Sequence, residues 1–90
     1  MKTIYETAVE KWGHEAQFNQ TKEELAELIQ ALCKYEKYKT PEWRENVIEE
    51  IFDVQVMIEQ IKVMLNISPD EMNNMTLQKM PKLEKAVGWQ

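Results

Sequence analysis

The sequence has only two glycines, three prolines, one cysteine and one histidine in 90 residues. With so little Gly and Pro, few points interrupt regular structure, and no Gly/Ser-rich linker divides the chain. It reads as a single domain over residues 1–90. The lone thiol, Cys33, has no internal disulfide partner, which suits a reducing cytoplasm. No apolar run approaches the roughly 20 residues of a membrane span, and the N-terminus shows no signal-peptide pattern. The expectation is a cytoplasmic protein with no membrane partner. Positive charge is also scarce: 11 Lys and Arg face 16 Asp and Glu, a net −5. That balance excludes a general nucleic-acid binder, which requires a basic patch. The 43% hydrophobic content argues against disorder. A monomer of this size buries only about 65% of its unfolded surface, so oligomerisation is expected before any motif is considered.

The sparse punctuation all suits helices. Ile4, Ala8, Val9 and Trp12 recur at helical spacing before Gly13. A second helix is expected from His14–Gln17 to about Lys39. Thr40-Pro41 ends it and starts a third, with Thr40 as N-cap and Pro41 at the first helical position, running to about Asn66. Ser68-Pro69-Asp70-Glu71 is a capping-box start for a fourth, with Ile67 and Met72 at hydrophobic-staple positions. Pro81 predicts a kink or two short helices before Gly88. No segment alternates as a strand. The class is all-α, a four-helix-type bundle.

The acids are clustered. The second helix carries Glu23, Glu24 and Glu27, and the third carries Glu49, Glu50 and Asp53. At about 100° per residue, Glu23 and Glu24 lie roughly 40° and 60° from Glu27, and Glu50 lies roughly 60° from Asp53. Both sets border apolar stripes: Leu25, Leu28, Ile29 and Leu32 on one helix, and Val47, Ile51, Val54, Ile58, Ile61 and Leu65 on the other. Packing these stripes in an antiparallel hairpin brings Glu24, Glu27, Glu50 and Asp53 to similar heights across the seam. Four carboxylates meeting there repel unless a cation neutralises them. All-oxygen donors without His or Cys favour Mg²⁺ or Mn²⁺ over zinc or copper. A di-iron bundle requires Glu-x-x-His motifs, which the single His14 does not supply. The competing reading of the same acids is an ordinary solvated polar face.

Glu23-Glu24-Leu25-Ala26-Glu27 followed by Glu50-Ile51-Phe52-Asp53 resembles the Glu-Glu-x-x-Glu … Glu-x-x-Asp signature of the MazG-like all-α nucleoside triphosphate pyrophosphohydrolases, a superfamily that includes dimeric dUTPases and dCTP pyrophosphatases. Trp12-Gly13 with Gln17 is similar to the run that precedes the motif in phage-type members, and the similarity covers roughly Ala8 to Leu65. The resemblance implies an oligomeric helical bundle, a homodimer or homotetramer. It would split an NTP or dNTP between the α and β phosphates to release pyrophosphate, with Glu24, Glu27, Glu50 and Asp53 as Mg²⁺ ligands. Glu23 matches the first acid of the signature. It orients or deprotonates the attacking water in one reading, and is an outer partner of the site or an ordinary surface acid in the other. The family often has a basic residue in its last helix, and Lys79 is the nearer match, although Pro81 departs from the regular helix expected there.

The remaining candidates each carry two readings. Trp12 either stacks on a nucleobase or packs in the core at the end of its helix. Gln17, one heptad before Glu24, either reads a base edge or sugar hydroxyl or is solvated. Lys79 either binds the triphosphate or is a surface lysine. Two functions from other classes compete with the enzyme: a non-catalytic helical interaction module, and a Mg²⁺-nucleotide sensor.

Overall fold

The computed structural model describes residues 1–89, and four helices account for nearly all of them: α1 (Ile4–Trp12), α2 (His14–Tyr38), α3 (Pro41–Met64) and α4 (Pro69–Val87). The described residues contain no strand, as the lack of alternation in the sequence implies. Each junction is closed by local chemistry. Thr3 caps α1 in a capping box, its hydroxyl accepting from the Glu6 amide at 3.1 Å while the Glu6 carboxylate accepts from the Thr3 amide. Gly13 alone separates α1 from α2, with φ of 89° and ψ of 160°, a conformation that a side chain would strain. Its amide still donates to Val9 and its carbonyl still accepts from Gln17, so the residue that redirects the chain keeps both its own backbone groups paired.

The α2–α3 turn is short and well fixed. Lys39 adopts the left-handed conformation and donates to the Tyr35 carbonyl at 2.7 Å. Thr40 caps α3 through the Trp43 amide, and Pro41 occupies the first turn. Beside this turn Tyr38 stacks on Trp43, with ring centroids 6.5 Å apart, and the Lys34 ammonium lies 5.9 Å from both rings.

Packing involves three of the four helices. α2 and α3 form the main antiparallel pair, and α1 lies against both, chiefly α3. The core is thin: Val9, Ala31, Val54, Met57 and Met64 are buried, together with a polar pair, Gln17 and Gln60. Ala31 is 1% exposed and lets the two long helices approach, while the flexible methionines fill the remaining irregular space. The Gln17 side-chain amide donates to the Gln60 carbonyl oxygen at 2.6 Å, and the Gln60 amide nitrogen donates to the Met57 sulfur at 3.7 Å, so both buried side chains are partnered.

Two expectations from sequence change here. The inward line of α3 runs through Val54, Met57, Gln60 and Met64, leaving Ile51, Ile58 and Leu65 exposed; on α2, Leu28 is half-buried whereas Leu25, Ile29 and Leu32 are exposed. Periodicity groups apolar residues on a face but does not say which face turns inward when more apolar surface exists than three helices can cover. α4 is also one continuous helix through Pro81, which rules out the alternative of two short helices. The carbonyl that loses its donor lies on a helix exposed along nearly its whole length, where water can replace it. The backbone of α4 approaches none of the other three helices closely.

Replacing Ala31 by Leu forces extra volume into the closest part of the α2–α3 seam. Urea unfolding is expected to show a loss of about 1–3 kcal/mol, and an unchanged midpoint would contradict this account of the packing.

Candidate metal centre

The turn at Lys39–Thr40 sets the register of the hairpin and therefore the heights of its acids. Glu24 and Glu27 precede it by about four turns and three turns of helix, and Glu50 and Asp53 follow it by about three and four. Antiparallel packing brings them level. Carboxylate oxygens of Glu24, Glu27 and Glu50 all lie within 4.8 Å of one another, two from α2 and one from α3. Glu24, Glu50 and Asp53 are half-buried, and Glu27 is exposed. Asp53 stands outside this tightest trio but close enough for its charge to act on both Glu24 and Glu50.

The hydrogen bonding of the group is incomplete. Gln20, one turn before Glu24, donates its amide to one Glu24 oxygen at 2.8 Å. The other Glu24 oxygen and one Glu50 oxygen are shielded from solvent and have no hydrogen-bond partner. Native structures rarely leave a buried carboxylate oxygen in that condition. No cation compensates it either: among the described residues the ion pairs are Lys2–Glu10 and Glu59–Lys62, both elsewhere. Partial burial pushes the Glu24 carboxyl above its ordinary value, against the Gln20 hydrogen bond, with the charges of Glu27 and Asp53 adding to the rise. Burial likewise raises Glu50, followed by the charges of Glu27, Asp53 and Glu24. Three hard oxygen donors converging with orphaned oxygens and no counter-charge fit a Mg²⁺- or Mn²⁺-sized cation better than a softer metal.

The other candidates are distributed differently. Glu23 is exposed beside Glu24 and outside the trio. Trp12, Ala16, Gln17 and Gln20 line a shallow depression of about 320 Å³, and Gln20 joins it directly to Glu24. Gln17 faces inward, its amide nitrogen committed to Gln60, while Trp12 is 57% exposed at the rim. Trp12 also borders a larger apolar groove of about 420 Å³ between α1 and α3, walled by Tyr5, Phe52 and Val56. Lys79 lies on α4, and its own chain does not bring it to the acids. Sequence reasoning missed Gln60. An amide inside the most apolar stretch of α3 was the available signal, since such a residue is retained in a core only with a partner.

No family model, curated protein or solved structure matches the chain. The chemistry of the centre therefore rests on its own geometry.

Crowding at the centre has a pH signature. Glu24 and Glu50 titrate above 4.5 when folded and near it when unfolded. Between those values the folded chain binds more protons, so without divalent cations its stability falls as pH rises and levels off above the folded values. Glu50→Gln removes one of the two titrations. Melting temperatures across pH 4–8 in a chelating buffer are expected to show a shallower decline for that variant and a higher melting temperature near neutrality; parallel curves would refute the assignment.

Proposed function

We propose that this chain is a Mg²⁺-dependent nucleoside triphosphate pyrophosphohydrolase, converting an NTP or dNTP and water to the monophosphate and pyrophosphate, and that it works as a homodimer or homotetramer in the cytoplasm. The observation that carries the reading is the meeting of Glu24, Glu27 and Glu50 with two orphaned oxygens and no neutralising side chain. The MazG-like signature in Glu23–Glu27 and Glu50–Asp53 adds the reaction class. Glu24, Glu27, Glu50 and Asp53 would hold the cation. Such an ion screens the triphosphate and lowers the pKa of water, inverting the sign of a site that would otherwise repel its substrate.

The chain's own residues have separable tasks. Gln20 holds one oxygen of Glu24 and so limits that side chain's rotation. Trp12 offers a flat apolar surface at the rim of the adjoining depression, suited to stacking on a base. Gln17 is held by Gln60, which makes it a fixed wall of that depression rather than a freely rotating reader. In the hydrolysis, a water oxygen bonds to the α-phosphorus, the bond to the α–β bridging oxygen breaks, and the pyrophosphate departs with the bonding pair. The proton leaving the water requires a carboxylate, the role given to Glu23. Lys79 could contribute to the triphosphate only from another copy of the chain, because α4 stands away from its own acids.

A second reading, a non-catalytic helical interaction module, draws on the exposed apolar surfaces of α2, α3 and α4. A panel of NTPs and dNTPs with Mg²⁺ separates the two. Pyrophosphate release is expected for at least one nucleotide, and Glu50→Ala or Asp53→Ala is expected to reduce it by at least about 100-fold, since outer partners of metal ligands alone cost 10–100-fold. Tight Mg²⁺-dependent binding without turnover would point to a sensor. Turnover indifferent to both substitutions, or absent with every nucleotide, would refute the enzyme.

A further inference from the structure

The least explained part of the fold is α4. Nineteen residues of helix stand without close backbone approach to α1, α2 or α3, yet they carry an apolar strip of Met72, Met75, Met80, Leu83 and Val87. Helices in proteins draw most of their stability from packing, which α4 lacks here, and Pro81 removes one internal hydrogen bond. The direction of α4 is nevertheless set. Ile67 donates to the Lys62 carbonyl at 2.9 Å and left-handed Asn66 to Val63 at 3.2 Å, closing α3. Immediately afterwards Ser68 and Glu71 form a reciprocal capping box at 3.1 and 2.8 Å. In this arrangement α4 leads away from its own chain.

The hairpin has a matching unmet need. Leu25, Ile29 and Leu32 on α2, and Ile51, Ile58 and Leu65 on α3, are 42–64% exposed. On each helix they lie within about 60° of arc, roughly a quarter-turn from the seam, and antiparallel packing turns both strips to the same side. From Ile51 to Leu65 this face runs about 21 Å, and the α4 strip from Met72 to Val87 about 22 Å. We propose that α4 is an exchange arm whose apolar strip packs on the outer α2–α3 face of a second copy, the second arm returning to the first.

Two observations favour a second copy over another partner. Leu65 belongs to the exposed face and adjoins the elbow, so the arm continues directly from the surface it would cover on its partner. Reciprocal exchange also covers both arms and both faces at once, on the order of 1,000 Å² of surface per chain, above the ~800 Å² per partner of a typical stable interface. This deepens the assembly part of the proposed function and is independent of turnover.

The test uses the full chain in a Cys33→Ser background. One preparation carries Ile29→Cys and another Leu83→Cys; they are mixed, equilibrated and oxidised mildly, and the disulfides are mapped. Light scattering of the unsubstituted chain is expected to give a dimer or a multiple of it, and the mixture an Ile29→Cys to Leu83→Cys link between copies. Leu83→Asp is expected to yield monomer while the α1–α3 body still melts cooperatively. An oligomer giving only links between like positions would overturn the arm exchange and leave oligomerisation standing. A monomer at about 100 µM, well above the Kd of a standard-size interface, would overturn both.

Discussion

The crowding of carboxylates in the α2–α3 seam is the constraint to which the rest of the structure answers. Glu24, Glu27 and Glu50 would separate if left to Coulomb repulsion, and partial desolvation adds to the cost of keeping them charged. They stay together because the hairpin is closed on either side of them. Toward the turn, Ala31 permits close approach and the Tyr38–Trp43 stack fastens the end. Away from it, Gln17 and Gln60 join the helices by a buried hydrogen bond. The acids are thus clamped between two sets of favourable contacts, and Gln20 restrains the side chain of Glu24.

That arrangement gives the acidity of the chain a location. A net charge of −5 spread over a small surface would mainly confer solubility. Gathered at one partly buried point beside a depression rimmed by an exposed tryptophan, part of it becomes a local concentration of carboxylates that Coulomb repulsion alone would disperse. Under the proposed function, a divalent cation held there would invert the local field met by a small anionic substrate.

Much of this was legible in the sequence because it is encoded locally. Thr40-Pro41 and Ser68-Pro69 with Glu71 mark helix starts by hydrogen bonds reaching only three residues, and both starts lie where they were expected. The level heights of Glu24, Glu27 and Glu50 follow from counting residues to the turn. Which face of α3 turns inward was not legible, since Ile51 and Ile58 look as apolar as Val54 and Met57; small and flexible side chains at the seam decided it. At Pro81 the continuous α4 rules out two short helices, and the sequence alone did not announce that this helix is open to water, which can serve the carbonyl that loses its donor. Gln17 and Gln60, 43 residues apart, could be matched only in three dimensions.

The elbow at Asn66–Ser68 has an energetic consequence. A helix on a loose tether must be ordered as it binds, and the conformational entropy lost then weakens association. Here the backbone hydrogen bonds at Asn66 and Ile67 and the capping box at Ser68 hold the approach angle beforehand. The first turn of α4 is therefore set before any contact, and the remainder of the helix gains its stability from whatever surface covers its apolar strip.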